Sequence, residues 1–206
     1  MTVQVLTGGA PYASVCYLVS AGGESAVVDP SVPYDAGRRQ AGGAADVRYI
    51  LLTHSHFDHM LYLDDWQRAT GAEVLVGTSD RDKLADPVAN VYAMFLGTHG
   101  GYTGESTPVS DGDTFSLGGQ TFAVLALPGH TSGSVGYRFV DALFCGDLVF
   151  AGGNVGRCDL PSGDSAALRQ SVRRLLGLPP DTCLYPGHGP ATTVGELCRD
   201  FGLSKG

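Results

Sequence analysis

Five of the six histidines in this chain fall in three short motifs. The first, Thr53-His54-Ser55-His56-Phe57-Asp58-His59, follows the apolar run Tyr49-Ile50-Leu51-Leu52. The second is Pro128-Gly129-His130-Thr131-Ser132-Gly133-Ser134 and the third Pro186-Gly187-His188-Gly189-Pro190; between them, Asp147 closes the stretch Phe144-Cys145-Gly146-Asp147. Imidazole and carboxylate donors in this mixture suit borderline divalent ions, zinc above all. In an extended chain, residues two apart project to the same side. His54 and His56 can therefore grip one ion, while Asp58 and His59, where the chain must turn, address a neighbour. A single catalytic zinc needs only three protein ligands and a water. The seven donors here exceed that, and the surplus predicts two ions. The simplest division gives His54, His56 and His130 to the first and Asp58, His59 and His188 to the second, with Asp147 bridging.

These donors must be carried by strand ends. Runs rich in Val, Leu, Tyr and Phe, punctuated by Gly, Pro and Asp, predict strands at Val3–Leu6, Ser14–Ser20, Ala26–Asp29, Arg48–Thr53 and Glu73–Val76. Five more are predicted at Thr114–Leu117, Thr121–Leu127, Gly136–Val140, Ala142–Cys145 and Thr182–Tyr185. Helical spacing of apolar residues predicts a helix over Leu61–Thr70 with Gly71 as its stop, and another running from an Asp164 N-cap to Leu176. Thr193 and Glu196 have capping-box spacing for a short final helix. Asp80–Ser106 lacks regular periodicity and reads as a helix-and-loop insertion overhanging the site. Strands preceding helices in both halves predict an α/β layered domain with mixed sheets.

With 206 residues the chain suffices for one domain, and thirty glycines and eleven prolines imply many tight turns. A net charge of −8 excludes a basic nucleic-acid surface. No run of about 18 apolar residues is present, so no membrane span is expected, nor a signal peptide at Met1–Val5. Five cysteines without CxxC spacing read as reduced thiols of a cytoplasmic protein. Cys145 reads as a small buried hydrophobe and His99 as an ordinary loop histidine. Tyr12, Tyr62 and Tyr102 are aromatic candidates for a pocket wall, and Tyr62, close after the first motif, is a candidate for substrate contact.

The four motifs, in this order and along nearly the whole chain, resemble those of the metallo-β-lactamase superfamily. The resemblance implies a four-layer αββα sandwich, a single domain over 1–206 with halves of roughly 1–105 and 106–206, and metals at one edge between the halves. It carries the ligand roles onto His54, His56, Asp58, His59, His130, Asp147 and His188. The segment from Gly152 to Asp164, with Gly156-Arg157-Cys158-Asp159 at its centre, resembles that of glyoxalase II-like (hydroxyacylglutathione hydrolase-like) enzymes and of persulfide dioxygenases. Three departures stand out. Met60-Leu61-Tyr62 replace small residues, Cys158 replaces Thr or Ser, and only 18 residues follow His188, so the C-terminal helical domain that supplies glutathione contacts is not expected. An aspartate at 147 argues against the β-lactamase group whose second zinc takes a cysteine there.

Two adjacent ions, zinc with iron or manganese as alternatives, supply hydroxide at neutral pH and polarise a carbonyl. Asp58 is placed to orient that nucleophile and take its proton, as the catalytic residue. Arg157 and Asp159 are expected to brace the loop below the metals, with Asp159 or backbone carbonyls accepting from the outer histidine nitrogens. No general acid accompanies the ligands. A thiolate, with a pKa near 8.5, leaves without one, which favours thioesters and activated lactones over amides. The expected activity is hydrolysis of a small acyl thioester. The alternatives are a lactonase, an iron persulfide dioxygenase built on His54, His130 and Asp147, and a non-catalytic metal-binding module.

Overall fold

The structure is a computed structural model that describes residues 1–43, 46–98 and 100–203. Two six-stranded sheets are stacked face to face with helices on both outer sides, the four-layer αββα sandwich. The first sheet holds, in spatial and chain order, β1 (Thr2–Leu6), β2 (Cys16–Ala21), β3 (Glu24–Val28), β4 (Asp46–Leu52), β5 (Glu73–Gly77) and β6 (Thr107–Val109). Its first three strands are antiparallel and β3 to β6 run parallel. The second sheet contains β7 (Thr114–Leu117), β8 (Gln120–Ala126), β9 (Val135–Phe139), β10 (Ala142–Gly146), β13 (Cys183–Pro186) and β14 (Thr192–Thr193), in the order β14-β13-β10-β9-β8-β7. A small hairpin, β11 (Val149–Phe150) with β12 (Asn154–Val155), stands apart. The helices are α1 (Tyr34–Gln40), α2 (Leu63–Thr70), α3 (Tyr92–Leu96), α4 (Ser165–Leu176) and α5 (Val194–Asp200).

Side chains alternate across each strand, and here both faces are covered, so the strands read as continuous apolar runs. Tyr17, Val19, Val28, Leu51, Phe122, Val124, Tyr137 and Phe144 fill the space between the sheets. Their neighbours in sequence turn outward. Leu18, Val27, Ile50 and Leu52 meet Leu63 and Trp66 of α2, while Leu125, Leu143 and Cys145 meet Leu168 and Leu175 of α4 and Leu197 of α5. Cys145 is thus a buried core residue.

The Asp164 carboxylate caps α4 by accepting from the Ala166 and Ala167 amides at 2.7 and 2.9 Å. Thr193 and Glu196 form the capping box of α5. Three differences from the sequence reading have local causes. First, α1 was not anticipated: its seven residues include Gly37 and it has no side-chain cap. It forms because it packs on Trp66, where a Cβ at Gly37 would lie 2.5 Å from the indole ring. Second, α2 begins at Leu63 rather than Leu61, because Leu61 and Tyr62 form a turn after the 3-10 segment Phe57–His59, with the Tyr62 amide donating to the Pro30 carbonyl at 2.9 Å. Third, β6, the hairpin strands and β14 are too short to show periodicity. The insertion after β5 consists of a 3-10 segment, Thr78–Ala85, followed by α3.

Candidate metal centre

The parallel strands β3 and β4 end side by side, and the loops leaving them build half of the site. Asp29, directly after β3, accepts from the Thr53 amide (2.9 Å) and from the Thr53 hydroxyl (2.8 Å). The same Oδ2 lies 2.8 Å from Nδ1 of His59, so that nitrogen donates to it and Nε2 is turned inward. Thr53 Oγ1 is also 3.1 Å from Nδ1 of His54, which fixes that ring the same way. Asp29 is therefore the residue that orients the first motif. Its signal in sequence was an aspartate closing an apolar run, the same pattern that pointed to Asp147.

The other donors arrive from the second sheet. His130, between β8 and β9, donates from Nδ1 to the Arg157 carbonyl at 2.7 Å, leaving Nε2 2.9 Å from Nδ1 of His56. Asp147 comes directly after β10 and His188 after β13, two parallel neighbours. His188 Nε2 stands 3.1 Å from Asp58 Oδ2 and 3.6 Å from Asp147 Oδ2, and His59 Nε2 is 3.4 Å from Asp147 Oδ1. Gly187 is required at this junction, since a Cβ there would collide with Asp147 Oδ1 and the His59 ring.

Cross-sheet hydrogen bonds lock this edge of the sandwich. Val135 N donates to Thr53 O, Val15 N to Gly187 O, and the Tyr17 hydroxyl to Pro186 O. A second buried carboxylate, Asp80, ties the first two motifs together. It accepts from the Ser55 and Gly133 amides, the Thr131 hydroxyl and the Lys83 ammonium, all within 2.9 Å. In the sequence Asp80 marks only the start of the insertion, because three of its four partners, Ser55, Thr131 and Gly133, lie 25 to 53 residues away.

All seven sequence-predicted donors meet in one place. Three groups have ligand atoms within 4.8 Å of one another: His54, His56 and His130; His54, His59 and Asp147; and Asp58, His59 and His188. Nε2 of His54, His56 and His59 and Oδ1 of Asp147 are buried without a hydrogen-bond partner. Burial, with its imidazole neighbours, holds His54 well below the usual histidine range and pushes His56 down to about 3, so both offer lone pairs at neutral pH. Burial also opposes charge on His59, but Asp29, Asp58 and Asp147 outweigh it and hold that histidine well above its ordinary value. Burial would raise Asp58 and Asp147 as well, yet the facing His59 keeps both carboxyls below their ordinary range. The cluster is built for positive charge at its centre, and this donor set fits divalent ions.

A cleft of about 210 Å³ opens over the cluster, walled by Tyr12, Phe57, Val91, Phe95 and Leu160 together with Arg157. A larger hollow of about 520 Å³ beside the end of α2 and β6 touches none of the seven donors. Arg157 and Asp159 pair bidentately at 2.7 and 2.8 Å on the exposed loop. The acceptor for His130 is thus the Arg157 carbonyl, and Asp159 does not serve as one. Tyr62 packs against the core beneath the first sheet and does not line the cleft. Tyr102 is buried, donating to Gln67 and Glu105. Of the three tyrosines only Tyr12 reaches the cleft. His99 lies outside the described residues. Among the described residues no helix is long and apolar enough to cross a membrane.

The hydroxyacylglutathione hydrolase GloC of Haemophilus influenzae is 33% identical over 159 residues, spanning 75% of this chain and 74% of that protein. Among solved structures, the BLEG-1 B3 metallo-beta-lactamase superposes with a TM-score of 0.87 at 29% identity, covering 96% of this chain and 97% of its own. The di-iron-bound form of TTHA1623 superposes with a TM-score of 0.81 at 34% identity, covering 95% and 97%. The family model of the metallo-beta-lactamase superfamily matches residues 9–188, a span that holds all seven donors. The chain is a member of the metallo-beta-lactamase superfamily and, with relatives of this kind, a metal-dependent hydrolase.

Proposed function

We propose that this chain is a dinuclear hydrolase, with zinc as its metal, that cleaves a small acyl thioester to acid and thiol in the cytoplasm. The observation that carries the reading is the convergence of three buried donor atoms without a hydrogen-bond partner, on His54, His59 and Asp147, with His56 presenting Nδ1 beside His130 Nε2, within the three donor groups. Each such atom costs on the order of 1–3 kcal/mol if left unsatisfied, and a pair of divalent ions satisfies them together. His54, His56 and His130 would hold one ion, and Asp58, His59 and His188 the other, with Asp147 between. Bound there, the ions would acidify a shared water and polarise the substrate carbonyl.

The chain's own residues do the rest. Asp58 borders the cleft and is aligned by His188, which places its carboxylate to orient a nucleophile and accept its proton. Asp29 and the Arg157 carbonyl hold His59 and His130 in their ligating tautomers. Apart from the Tyr12 phenol, the cleft wall carries no neutral side-chain acid among the described residues, which suits a thiolate that departs unprotonated. The similarity to GloC supports the thioester assignment, and five free thiols support a reducing compartment.

Elemental analysis of protein purified without added metal or chelator should find about two zinc ions per chain, and a thioester and lactone panel should find turnover on thioesters. Asp58→Asn should lower kcat by at least about a hundredfold with an unchanged circular dichroism spectrum. The di-iron form of TTHA1623 makes iron the second reading. About one iron per chain, with oxygen uptake on a persulfide and no thioester turnover, would replace the hydrolase with a dioxygenase using His54, His130 and Asp147.

A further inference from the structure

The insertion between β5 and β6 leaves an apolar surface uncovered beside the reacting atoms. Helix α3 reads Tyr-Ala-Met-Phe-Leu, yet none of its residues is buried. Phe95 is 52% exposed, and across the cleft Tyr12 is 49% exposed. These rings are ordered around Phe57 of the first histidine motif. Phe95 stacks on it with centroids 5.8 Å apart at 27°, and Tyr12 meets it at 5.8 Å and 43°.

The arrangement is held from below. Buried Asn90 donates to the Leu84 and Gly100 carbonyls and accepts from the Tyr92 amide, while its own carbonyl takes the Phe57 amide at 3.0 Å. Val91 enters α3 with φ 58°, a left-handed conformation that is costly for a β-branched residue, and its buried side chain lines the cleft. Strain of this kind persists where surrounding contacts over-determine it, commonly at ligand sites.

Charge narrows the choice of occupant. Apart from the seven donors, the charged side chain on the cleft wall is Arg157, and Asp159 already takes two of its N–H groups. Among the described residues Arg157 is therefore the one cationic side chain on the wall outside the donor cluster, and Asp159 already offsets its charge, so the wall is poorly suited to several carboxylates of a polyanionic thiol. The volume of about 210 Å³ is shared between the donor cluster and the ledge, which limits the group on the ledge to a short chain or a single ring.

We infer that the ledge of Tyr12, Phe57, Val91, Phe95 and Leu160 seats an apolar chain or ring attached to the scissile carbonyl group, so that the enzyme selects its substrate by apolar length. This rests on the hydrolase reading of the same site. An acyl chain and the organic half of the thiol share the required chemistry.

The test uses metal-replete protein and two substrate series: straight-chain acyl thioesters of one small thiol, and acetyl thioesters of alkanethiols of increasing length. In one of the two, kcat/KM should rise about two- to fourfold per methylene until the cleft is filled, and the series that rises identifies the half that sits on the ledge. Phe95→Ala should flatten that slope. Val140→Ala, at a residue 82% exposed and absent from the cleft wall, should keep it. Calorimetric titration with straight-chain alkanoates of two to eight carbons reads the ledge without turnover. Affinity that climbs with length in the parent and not in Phe95→Ala supports the seat even if no thioester is cleaved, in which case the hydrolase reading alone falls. Affinity and kcat/KM that are both independent of chain length in the parent overturn the inference.

Discussion

Asp29 adopts a left-handed backbone conformation, φ 49°, directly after β3. There its two oxygens hold the Thr53 amide, the Thr53 hydroxyl and the His59 ring. Replacing it with Asn keeps the shape but removes the charge and half the acceptor capacity, so His59 loses the partner that fixes its tautomer. Asp29→Asn should weaken metal binding by about 10–100-fold, measured by competition with a chelator of known affinity. Gly187 serves the site through what it lacks, because a methyl there would occupy the space between Asp147 and His59. Gly187→Ala should therefore drop the metal content from two ions per chain toward one, read by elemental analysis, with the far-ultraviolet spectrum retained. Both residues act on donors that the sequence already exposed. Neither role was visible without the contact, since Asp29 lies 30 residues from His59.

At the scale of elements, the site is assembled from loops leaving the ends of β3, β4, β8, β10 and β13, and Asp80 couples two of those loops. It is fully buried, and its removal would strand the Ser55 and Gly133 amides, the Thr131 hydroxyl and the Lys83 ammonium. Asp80→Ala should destabilise the protein by about 3 kcal/mol or more, read as a lower urea midpoint, and should loosen the spacing between His56 and His130. The strands themselves were legible because apolar runs end at Asp, Gly and Pro. α1 and β6 were not, being short segments stabilised by tertiary partners: Trp66 beneath Gly37 in one case, β5 beside Thr107–Val109 in the other. The insertion showed its irregularity in sequence, while its placement over Phe57 depends on the Asn90 contacts.

For the whole molecule, the three apolar cores contain none of the seven donors. The fold should therefore survive loss of metal at room temperature and lose only the stabilisation that binding adds. At free metal about a thousandfold above Kd, that amounts to about 4 kcal/mol for each ion bound, or roughly 8–16 °C in Tm per ion for a chain of this length. Calorimetry with and without chelator should show a drop of that order with unchanged secondary structure; unfolding at room temperature on chelation would contradict it. By itself the sequence determined the layered α/β architecture and the family and marked the candidate donors, because ligand chemistry is written in residue type and strands in local pattern. The tertiary structure alone decided which carboxylates orient those donors, that Tyr62 packs in the core while Tyr12 faces the cleft, and that an aromatic ledge lies over the site. Each of these depends on contacts between segments distant in sequence, and local periodicity carries no information about such contacts.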